Sequence, residues 1–392
     1  MKNIQDNHEL YQKKILLRLD LNVPLENKKI TDSTRIDKII PTLNLLLKNN
    51  AKIIILSHVG RPKGKIVNKL SLKPICEDLN KKLNINIKLI TKNLKLINST
   101  DLFDNTNEKV LMLENIRFYK EEEENDGLFA KHLSSLADIY VNEAFSCSHR
   151  AHSSVNKIPK FLPSYCGLQF NLEVNALKKI TSKIKRPITC IIGGSKISTK
   201  INVIKNLVSK FDNIIIVGGM ANNILRYKGF EIGISIKEKN CDKLVEDIFI
   251  LSEKENCKIF YPLDVVTGNN LNDSPKIKEL NNISKNEMIL DIGPKTIKMV
   301  KDTIQSSSTV LWNGPAGYFE NYNFATGSYE IAKEISKETK KGKIYSVIGG
   351  GDTVSVINKI KLFNNYNFVS TAGGAFLEYL EGKELPGIKA LN

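Results

Sequence analysis

The sequence predicts an α/β protein with two doubly wound, Rossmann-like parallel-sheet domains, joined by a long linker helix and with a cleft between them. Two observations support this prediction. A short apolar run, a polar or glycine-rich junction and a segment of helical period recur along the chain, which is typical of βαβ units. The junctions of the first half carry arginine and histidine, whereas those of the second half carry glycine.

Four apolar runs in the first half are predicted strands, at 15–21, 53–56, 110–113 and 139–141. Between the first two, Ile36, Ile39 and Leu43 have the spacing of a helix that buries one face. The segment 31–33 offers side chains that commonly cap such a helix. The pattern therefore predicts parallel strands with a crossover helix between them.

Six apolar runs in the second half are followed by glycine, and the sequence predicts them as strands of one open parallel sheet: 189–192, 214–217, 288–292, 310–312, 344–348 and 368–371. Their junctions would then lie together at the carboxyl ends of the strands, where helix N-termini present free N–H groups. The segment 165–185 has a continuous helical pattern and is predicted to join the two domains.

Composition limits the classes of function. The 392 residues are 41% hydrophobic and 26% charged, which suits a globular enzyme with large cores. The formal charge of +16 allows a non-enzymatic protein that binds polyanions, but the lysines are scattered rather than gathered in one stripe. No cysteine pair has CxxC spacing, and we expect neither a secretion signal nor a membrane span. A cytoplasmic protein without specific nucleic-acid binding is expected.

Arginine is rare in this lysine-rich chain. Only seven of the 58 basic residues are arginine, and four of them follow loop-like junctions in the first 150 residues: Arg35, Arg61, Arg117 and Arg150. A planar guanidinium grips phosphate or carboxylate through two bonds at once. The first half is therefore predicted to bind a small, multiply charged anion.

The junction motifs of the first half add further candidates. Asp20 and Asn22 alternate at the end of a strand and so point to one side, although a simple turn explains them equally well. His58 and Arg61 lie three apart around Gly60. The segment 147–152 allows a zinc site of Cys147, His149 and His152, but Arg150 among these candidates would repel a cation, so an anion site is the preferred interpretation.

The second half contains neither a P-loop nor a GxGxxG fingerprint. Lys196 and Lys200 are four apart at a predicted helix start, where they would share one face and bind polyphosphate. Asp352 follows the glycines at 349–351 and is either a helix cap or a magnesium ligand. Glu320 is a candidate acceptor for a ribose hydroxyl.

A set of motifs resembles phosphoglycerate kinases in order and spacing over nearly the whole chain: RLDLNVP, SHVGRPKG, LENIRF, HRAHSS, GGSKISTK, GGMANNIL, LDIGPKT, LWNGPAGYFE, GGGD and GKELPG. The resemblance implies an enzyme of glycolysis and gluconeogenesis that transfers a phosphoryl group reversibly between 1,3-bisphosphoglycerate and MgADP, giving 3-phosphoglycerate and MgATP. It also implies a monomer whose domains close for in-line transfer. A phosphoglycerate-binding domain at 1–170, a nucleotide-binding domain at 171–375 and a returning tail at 376–392 are expected.

By the same resemblance, the phosphoglycerate ligands are expected at Asp20, Asn22, Arg35, His58, Val59, Gly60, Arg61, Arg117, His149 and Arg150. The nucleotide ligands are expected at Gly194, Lys196, Lys200, Gly218, Gly293, Asn313, Glu320, Gly350, Gly351, Asp352 and Thr353. Asp352 would hold Mg²⁺ together with the nucleotide phosphates. Arg35 and Lys196 are the expected catalytic cations.

Some positions depart from the family pattern. Glu143, Ser146, Cys147 and Ser148 stand where Asp, Gly, Thr and Ala are expected, and Ala372 replaces a glycine. The main alternative function is a dinucleotide-dependent α/β oxidoreductase, which the glycine junctions alone would permit. The missing GxGxxG and the arginine cluster count against that alternative.

Overall fold

The chain folds into two compact units. In the computed structural model, which describes residues 1–27, 29–104 and 107–392, one unit comprises Met1–Asn175 and Glu384–Asn392, and the other comprises Ala176–Lys383. The contacts therefore divide the chain at two points, between residues 175 and 176 and between residues 383 and 384.

The first unit begins with β1 (Lys14–Arg18), β2 (Leu25–Glu26), β3 (Lys29–Ile30), α1 (Thr34–Lys48), β4 (Lys52–Leu56), α2 (Lys73–Leu83), β5 (Ile87–Ile90), α3 (Ser99–Phe103) and β6 (Val110–Leu113). It continues with α4 (Lys120–Glu123), α5 (Gly127–Ser134), β7 (Ile139–Asn142), β8 (Ser164–Cys166) and the start of α6 (Leu168–Thr181). Six strands form a parallel sheet in the order β5-β6-β4-β1-β7-β8.

This sheet forms because its central strands are apolar on both faces. The last four residues of β1 and of β4 are all buried, as expected where helices cover both sides of a parallel sheet. In α1, Ile36, Ile39 and Leu43 are buried at the predicted helical spacing. Chain order reverses around β1, which pairs with β4 on one side and β7 on the other. The loops after these three strands therefore meet at one edge.

The second unit contains β9 (Ile188–Ile192), α7 (Ile201–Val208), β10 (Asn213–Ile216), α8 (Gly219–Tyr227), α9 (Asp242–Lys254), β11 (Lys258–Phe260), β12 (Asp264–Gly268), β13 (Lys276–Glu279) and β14 (Met288–Ile292). After these come α10 (Pro294–Gln305), β15 (Thr309–Asn313), α11 (Thr326–Lys340), β16 (Tyr345–Gly349), α12 (Gly351–Lys359), β17 (Phe368–Val369) and α13 (Gly374–Leu380). The chain ends in α14 (Pro386–Lys389), which belongs to the first unit.

The parallel sheet of the second unit has the strand order β11-β10-β9-β15-β16-β17. Numbered along the chain, this is the 3-2-1-4-5-6 order of a Rossmann fold, with its switch point between β9 and β15. The predicted α/β class with two parallel sheets is confirmed.

One predicted strand lies in a different sheet. The run at 288–292 was expected in the parallel sheet, but β14 pairs antiparallel with β12 in the separate sheet β13-β12-β14. A short apolar run is compatible with a parallel or an antiparallel sheet, and a glycine after the run does not indicate which strand it will pair with. The junction after β14 therefore does not join the row of junctions that end the parallel strands.

Two predicted helical segments also differ from the structure. The helix expected over 165–185 spans Leu168–Thr181, because Tyr165 belongs to β8 and pairs with β7. The helix expected to begin near Lys196 begins at Ile201, so Lys196 and Lys200 both lie in the preceding loop. They do not share a helical face.

Candidate active site

Arg18 is the last residue of β1, and its side chain is fully buried. Its Nε donates to Ser154 Oγ at 2.9 Å, and its Nη1 donates to the carbonyl of Leu19. Ser154 Oγ in turn donates to the buried carboxylate of Glu122 at 2.6 Å. The hydroxyl of Ser154 thus links a buried cation to a buried anion, which stabilises both charges away from water.

His58 follows β4 and is 3% exposed. Its Nδ1 lies 3.0 Å from Nη2 of Arg18. Burial, reinforced by the neighbouring arginines, lowers the pKa of His58 well below its usual value, so the ring is neutral near pH 7. Since Arg18 only donates, Nδ1 of His58 accepts and the ring proton is on Nε2. His58 therefore supplies an N–H donor rather than a charge.

The loop after β1 is connected to α1 and to the loop after β4. Nη1 of Arg35 lies 3.0 Å from Oδ2 of Asp20 and donates to the carbonyl of Asn22, also at 3.0 Å. Oδ1 of Asp20 accepts from the N–H of Asn22 at 3.1 Å. Oδ1 of Asn22 accepts from the N–H of Gly60 at 2.9 Å. These contacts bring four predicted ligands into one network.

The remaining predicted ligands lie around this network. Nη1 of Arg117 donates to the carbonyl of Gly60 at 3.0 Å, and the carbonyl of the buried Val59 accepts from Asn115 at 2.8 Å. Arg61 and Arg150 are exposed, and His149 is partly buried. Sequence analysis missed Arg18 and Asn115 as parts of the site. An arginine at the end of an apolar strand was the available signal for the first.

Three possible metal ligands also lie together here. One ligand atom each of Asp20, His58 and Cys147 lies within 4.8 Å of the others. However, Nη2 of Arg18 is 3.0 Å from His58 Nδ1 and 3.8 Å from Cys147 Sγ. A guanidinium beside two of the three ligands disfavours a cation and favours an anion. This set differs from the alternative zinc set of Cys147, His149 and His152, and it shares the same objection.

In the second unit, Lys200 connects the two loops at the switch point of the sheet. Its Nζ donates to the carbonyl of Gly193 at 2.6 Å and to Oδ1 of Asn313 at 2.7 Å. Burial lowers the pKa of Lys200 to about 8. Lys196, four residues earlier, is exposed. The two lysines therefore have different environments, one holding the loops after β9 and β15 and one facing solvent.

A glycine turn precedes α12. Gly350 caps this helix with φ of 94°, in the region that glycine adopts most easily. A Cβ at Gly350 would lie 3.0 Å from Nδ2 of Asn313, and this buried Nδ2 has no hydrogen-bond partner among the residues that the structure describes. Thr353 Oγ1 accepts from the N–H of Gly314 at 2.7 Å, while Gly351 and Asp352 are exposed. An unsatisfied donor thus lies beside the free N–H groups of a helix start.

A cavity of about 560 Å³ lies in the second unit. Four predicted nucleotide ligands line it, namely Gly194, Gly218, Glu320 and Asp352, together with apolar residues such as Ile236 and Leu271. Gly293 is not among the lining residues. It is the N-cap residue that immediately precedes α10, and its N–H donates to the carbonyl of Asp264 at 3.0 Å. A cavity of this size, apolar with a few polar groups, is typical of a small-molecule site.

Asp291 was not predicted from the sequence, yet it lines the same cavity. It is 2% exposed, and its carboxylate accepts from the N–H of Gly327 at 2.7 Å and from the N–H of Ile292 at 2.9 Å. Burial raises the pKa of Asp291 to about 7, although the two hydrogen bonds oppose this shift. Its position in an apolar run gave no signal of this role.

The positions that depart from the family pattern have defined surroundings. The carboxylate of Glu143 is buried and accepts from the N–H of Phe170 at 2.9 Å, at the start of α6. Ser146 Oγ donates to Oδ2 of Asp20. Cys147 lies against Arg18, and Ser148 is fully buried. Ala372 has a negative φ, so its backbone does not require glycine.

Comparison with known proteins identifies the family. The family model described as phosphoglycerate kinase matches residues 4–383. The chain is 45% identical to the phosphoglycerate kinase of Wolbachia sp. subsp. Brugia malayi (strain TRS) over 393 residues. This alignment covers 98% of this chain and 97% of the relative. The chain belongs to the phosphoglycerate kinase family. It is also 42% identical, over 393 residues, to the phosphoglycerate kinase of Zymomonas mobilis subsp. mobilis, covering 100% of this chain and 99% of the relative.

Solved structures of the family agree with this assignment. The structure of phosphoglycerate kinase from Coxiella burnetii has a TM-score of 0.89 and 37% identity, covering 98% of this chain and 97% of that chain. The one from Pyrococcus horikoshii OT3 has a TM-score of 0.84 and 26% identity, covering 100% of this chain and 98% of that chain. The prediction of a glycolytic kinase is confirmed, and the alternative oxidoreductase is not supported. No helix in the described ranges has both the length and the apolarity to span a membrane.

Proposed function

We propose that this chain transfers a phosphoryl group between 1,3-bisphosphoglycerate and MgADP, giving 3-phosphoglycerate and MgATP. One observation carries the proposal within this kinase family. The sheet of the first unit gathers arginine and histidine at its switch point, whereas the sheet of the second unit gathers lysine, glycine and a cavity at its own. One site suits a compact anion and the other suits a nucleotide.

The anion site is proposed to bind phosphoglycerate. Arg61 and Arg150 are exposed, and neither guanidinium is paired with another described residue. Each can therefore donate two hydrogen bonds to the phosphate at once. His58 offers its Nε2–H, and Arg35 and Arg117 add positive charge. Asp20 is the acidic member of this network and can accept a hydrogen bond from a substrate hydroxyl.

The second unit is proposed to bind the nucleotide. The cavity of about 560 Å³ is large enough for a nucleoside, and Glu320 on its wall can accept a ribose hydroxyl. The free Nδ2 of Asn313 and the N–H groups at 350–353 would then meet the phosphates. The cation of Lys200 lies beside the same groups.

Mg²⁺ fits the residues at the start of α12. Asp352 is an exposed carboxylate in the first turn of that helix and lines the nucleotide cavity. Mg²⁺ is usually held by one or two carboxylates together with the phosphates of its nucleotide. Asp352 would therefore hold the ion, whose charge neutralises the phosphates when it is bound.

The proposed chemistry requires no general base. In the direction of ATP consumption the nucleophile is the carboxylate of 3-phosphoglycerate, which is already ionised at neutral pH. Catalysis then rests on position and on positive charge around the transferring group. We assign Arg35 and Lys196 as the two catalytic cations, one from each unit. Loss of either should lower kcat about a hundred- to a thousandfold.

We also propose that the protein acts as a monomer in the cytoplasm. All six cysteines are free and buried, which is typical of proteins in a reducing compartment. No disulfide contributes to stability here. Three of these buried thiols lie in each unit.

The proposal is tested by measuring ADP formation from MgATP that depends on 3-phosphoglycerate. We expect activity that EDTA abolishes and that excess Mg²⁺ restores. Without 3-phosphoglycerate, ADP formation should be near background. A folded protein that forms no ADP under these conditions would contradict the proposed reaction.

A further inference from the structure

Ser146 connects two loops of the anion site. It lies in the short 3-10 turn Phe145–Cys147 that follows β7, whereas Asp20 lies in the loop after β1. Ser146 Oγ donates to Oδ2 of Asp20, across 126 positions of sequence. Since β1 and β7 are neighbours with Arg18 opposite Asn142, this hydrogen bond fixes the ends of two adjacent strands to each other.

The same oxygen of Asp20 has a second partner. Oδ2 lies 3.0 Å from Nη1 of Arg35, and Oδ1 accepts from the N–H of Asn22. With Ser146 in place, three donors restrict the carboxylate. Without the hydroxyl, the donor to Oδ2 that remains among the described residues is the long side chain of Arg35, which is itself 30% exposed. The orientation of the Asp20 carboxylate would then be less restricted.

The backbone at Ser146 does not explain the identity of the residue. Ser146 is not one of the described residues with a positive φ. The backbone conformation therefore does not require glycine, and it does not select serine either. The side chain is only partly buried, so its volume contributes little to packing. The hydroxyl is the part of the residue with a defined partner.

We propose that Ser146 is a positioning residue of the phosphoglycerate site, which orients the Asp20 carboxylate. This inference rests on the proposed function, because it assigns that orientation to the binding of 3-phosphoglycerate. Ser146 itself is not placed in contact with the reacting atoms. Its effect is on how the substrate is held, not on the transfer step.

The test compares Ser146→Ala with the native enzyme in steady-state kinetics. We expect KM for 3-phosphoglycerate to rise about tenfold, the factor that corresponds to one hydrogen bond to a charged group. The kcat and the KM for MgATP should change by less than about twofold, because a uniform loss of binding leaves the transfer step unaltered. Ser146→Thr retains the hydroxyl and should restore most of the affinity.

Ser148→Ala is the matched control. Ser148 follows the same turn, and its Oγ is buried and has no hydrogen-bond partner in the described part of the chain, so removing it should leave KM for 3-phosphoglycerate unchanged. In an Asp20→Ala background, Ser146→Ala should have no further effect, because the acceptor is gone. Circular dichroism of each variant establishes that it is folded.

The outcomes separate this inference from the proposed function. If the native enzyme forms no ADP from MgATP and 3-phosphoglycerate, the proposed function is wrong. If the native enzyme is active and folded Ser146→Ala has the native KM, Ser146 does not position the site and the inference is overturned. An equal rise of KM in Ser148→Ala, or an undiminished effect of Ser146→Ala in the Asp20→Ala background, also overturns it.

Discussion

At the scale of single residues, the anion site is built around a guanidinium that solvent does not reach. Arg18 fixes the tautomer of His58 and is linked through Ser154 to Glu122. Each of its partners lies in a different direction from the planar group. That geometry requires arginine, since lysine concentrates its three donors on one atom.

Arg18→Lys therefore tests whether geometry or charge matters at this position. We expect the variant to lose about 3 kcal/mol of unfolding free energy, because Ser154, His58 and the Leu19 carbonyl cannot all be satisfied by one ammonium group. Urea denaturation followed by circular dichroism measures this difference. Arg186→Lys is the control, since Arg186 is 53% exposed and pairs with Asp212 on the surface. A loss as small as in the control, below about 0.5 kcal/mol, would contradict the account.

The sequence motifs identified most of the residues of the anion site, but not the buried residues that hold them in position. Asp20, His58 and Arg117 stand at predicted strand ends, so their meeting at one edge was foreseeable. Glu122 lies in a run of four glutamates that predicts a solvated helix start, yet its side chain is fully buried. Nothing in the run distinguishes it from its neighbours, because its partner Ser154 is 32 residues away.

At the scale of elements, Glu143 fixes the start of α6, the helix that contains residues of both units. Its carboxylate accepts from the N–H of Gln169 at 3.0 Å and from the N–H of Phe170 at 2.9 Å, and it also accepts from the hydroxyl of Thr42. Thr42 Oγ1 accepts from the N–H of Leu168 at 3.1 Å. The first three N–H groups of α6 are thus satisfied by side chains distant in sequence.

Glu143→Ala should release the start of α6. The N–H groups of Gln169 and Phe170 would lose their acceptor in a buried setting, which should cost about 2–4 kcal/mol of unfolding free energy. Hydrogen exchange measured by mass spectrometry should show faster exchange at these two amides than in the native chain. Glu124→Ala, at an exposed position, is the control. Unchanged protection of the two amides in Glu143→Ala would show that another group caps the helix.

Asp291 gives the stability of the second unit a pH dependence. Its pKa is about 7 in the folded chain and near 3.8 when unfolded. Between these values the folded state holds a proton that the unfolded state has lost. The unfolding free energy therefore decreases as pH rises, by about 1.4 kcal/mol per pH unit from this one group, and the decrease is complete above pH 7.

Asp291→Asn should remove this contribution, so that urea stability changes less steeply between pH 4.5 and 7 than in the native chain. Any cost of fitting the amide is the same at every pH and leaves the slope unaffected. Asp302→Asn, at an exposed residue, should retain the native slope. A native slope in Asp291→Asn would mean that this carboxyl is ionised throughout the range.

Whether a segment forms a strand or a helix was more predictable than which strands pair with each other. The pattern of apolar runs predicted five of the six parallel strands of the second unit. It missed β11 and placed β14 in this sheet instead. Residues 258–260 of β11 form a short run without a glycine junction, so they gave little signal. The loop at 193–200 was predicted as helix start because lysine spacing cannot reveal that Lys200 folds back onto Asn313.

At the scale of the whole molecule, the two proposed ligands are assigned to different units. Transfer requires the substrate carboxylate and the γ-phosphoryl group to approach within roughly 3–3.5 Å. We therefore expect the radius of gyration, measured by small-angle X-ray scattering, to decrease when 3-phosphoglycerate and a non-hydrolysable MgATP analogue are both bound. Either ligand alone should have a smaller effect. An unchanged radius with both ligands bound at saturation would contradict domain closure.

The central claim is that the two units divide the substrates between them, and isothermal titration calorimetry of single variants tests it most directly. Arg35→Ala should weaken binding of 3-phosphoglycerate at least tenfold and leave binding of MgATP unchanged, because a charged hydrogen-bond donor is lost from one site only. Lys196→Ala should weaken MgATP and leave 3-phosphoglycerate unchanged. If either variant weakened both ligands equally, or affected only the ligand assigned to the other unit, the division of the substrates would be wrong.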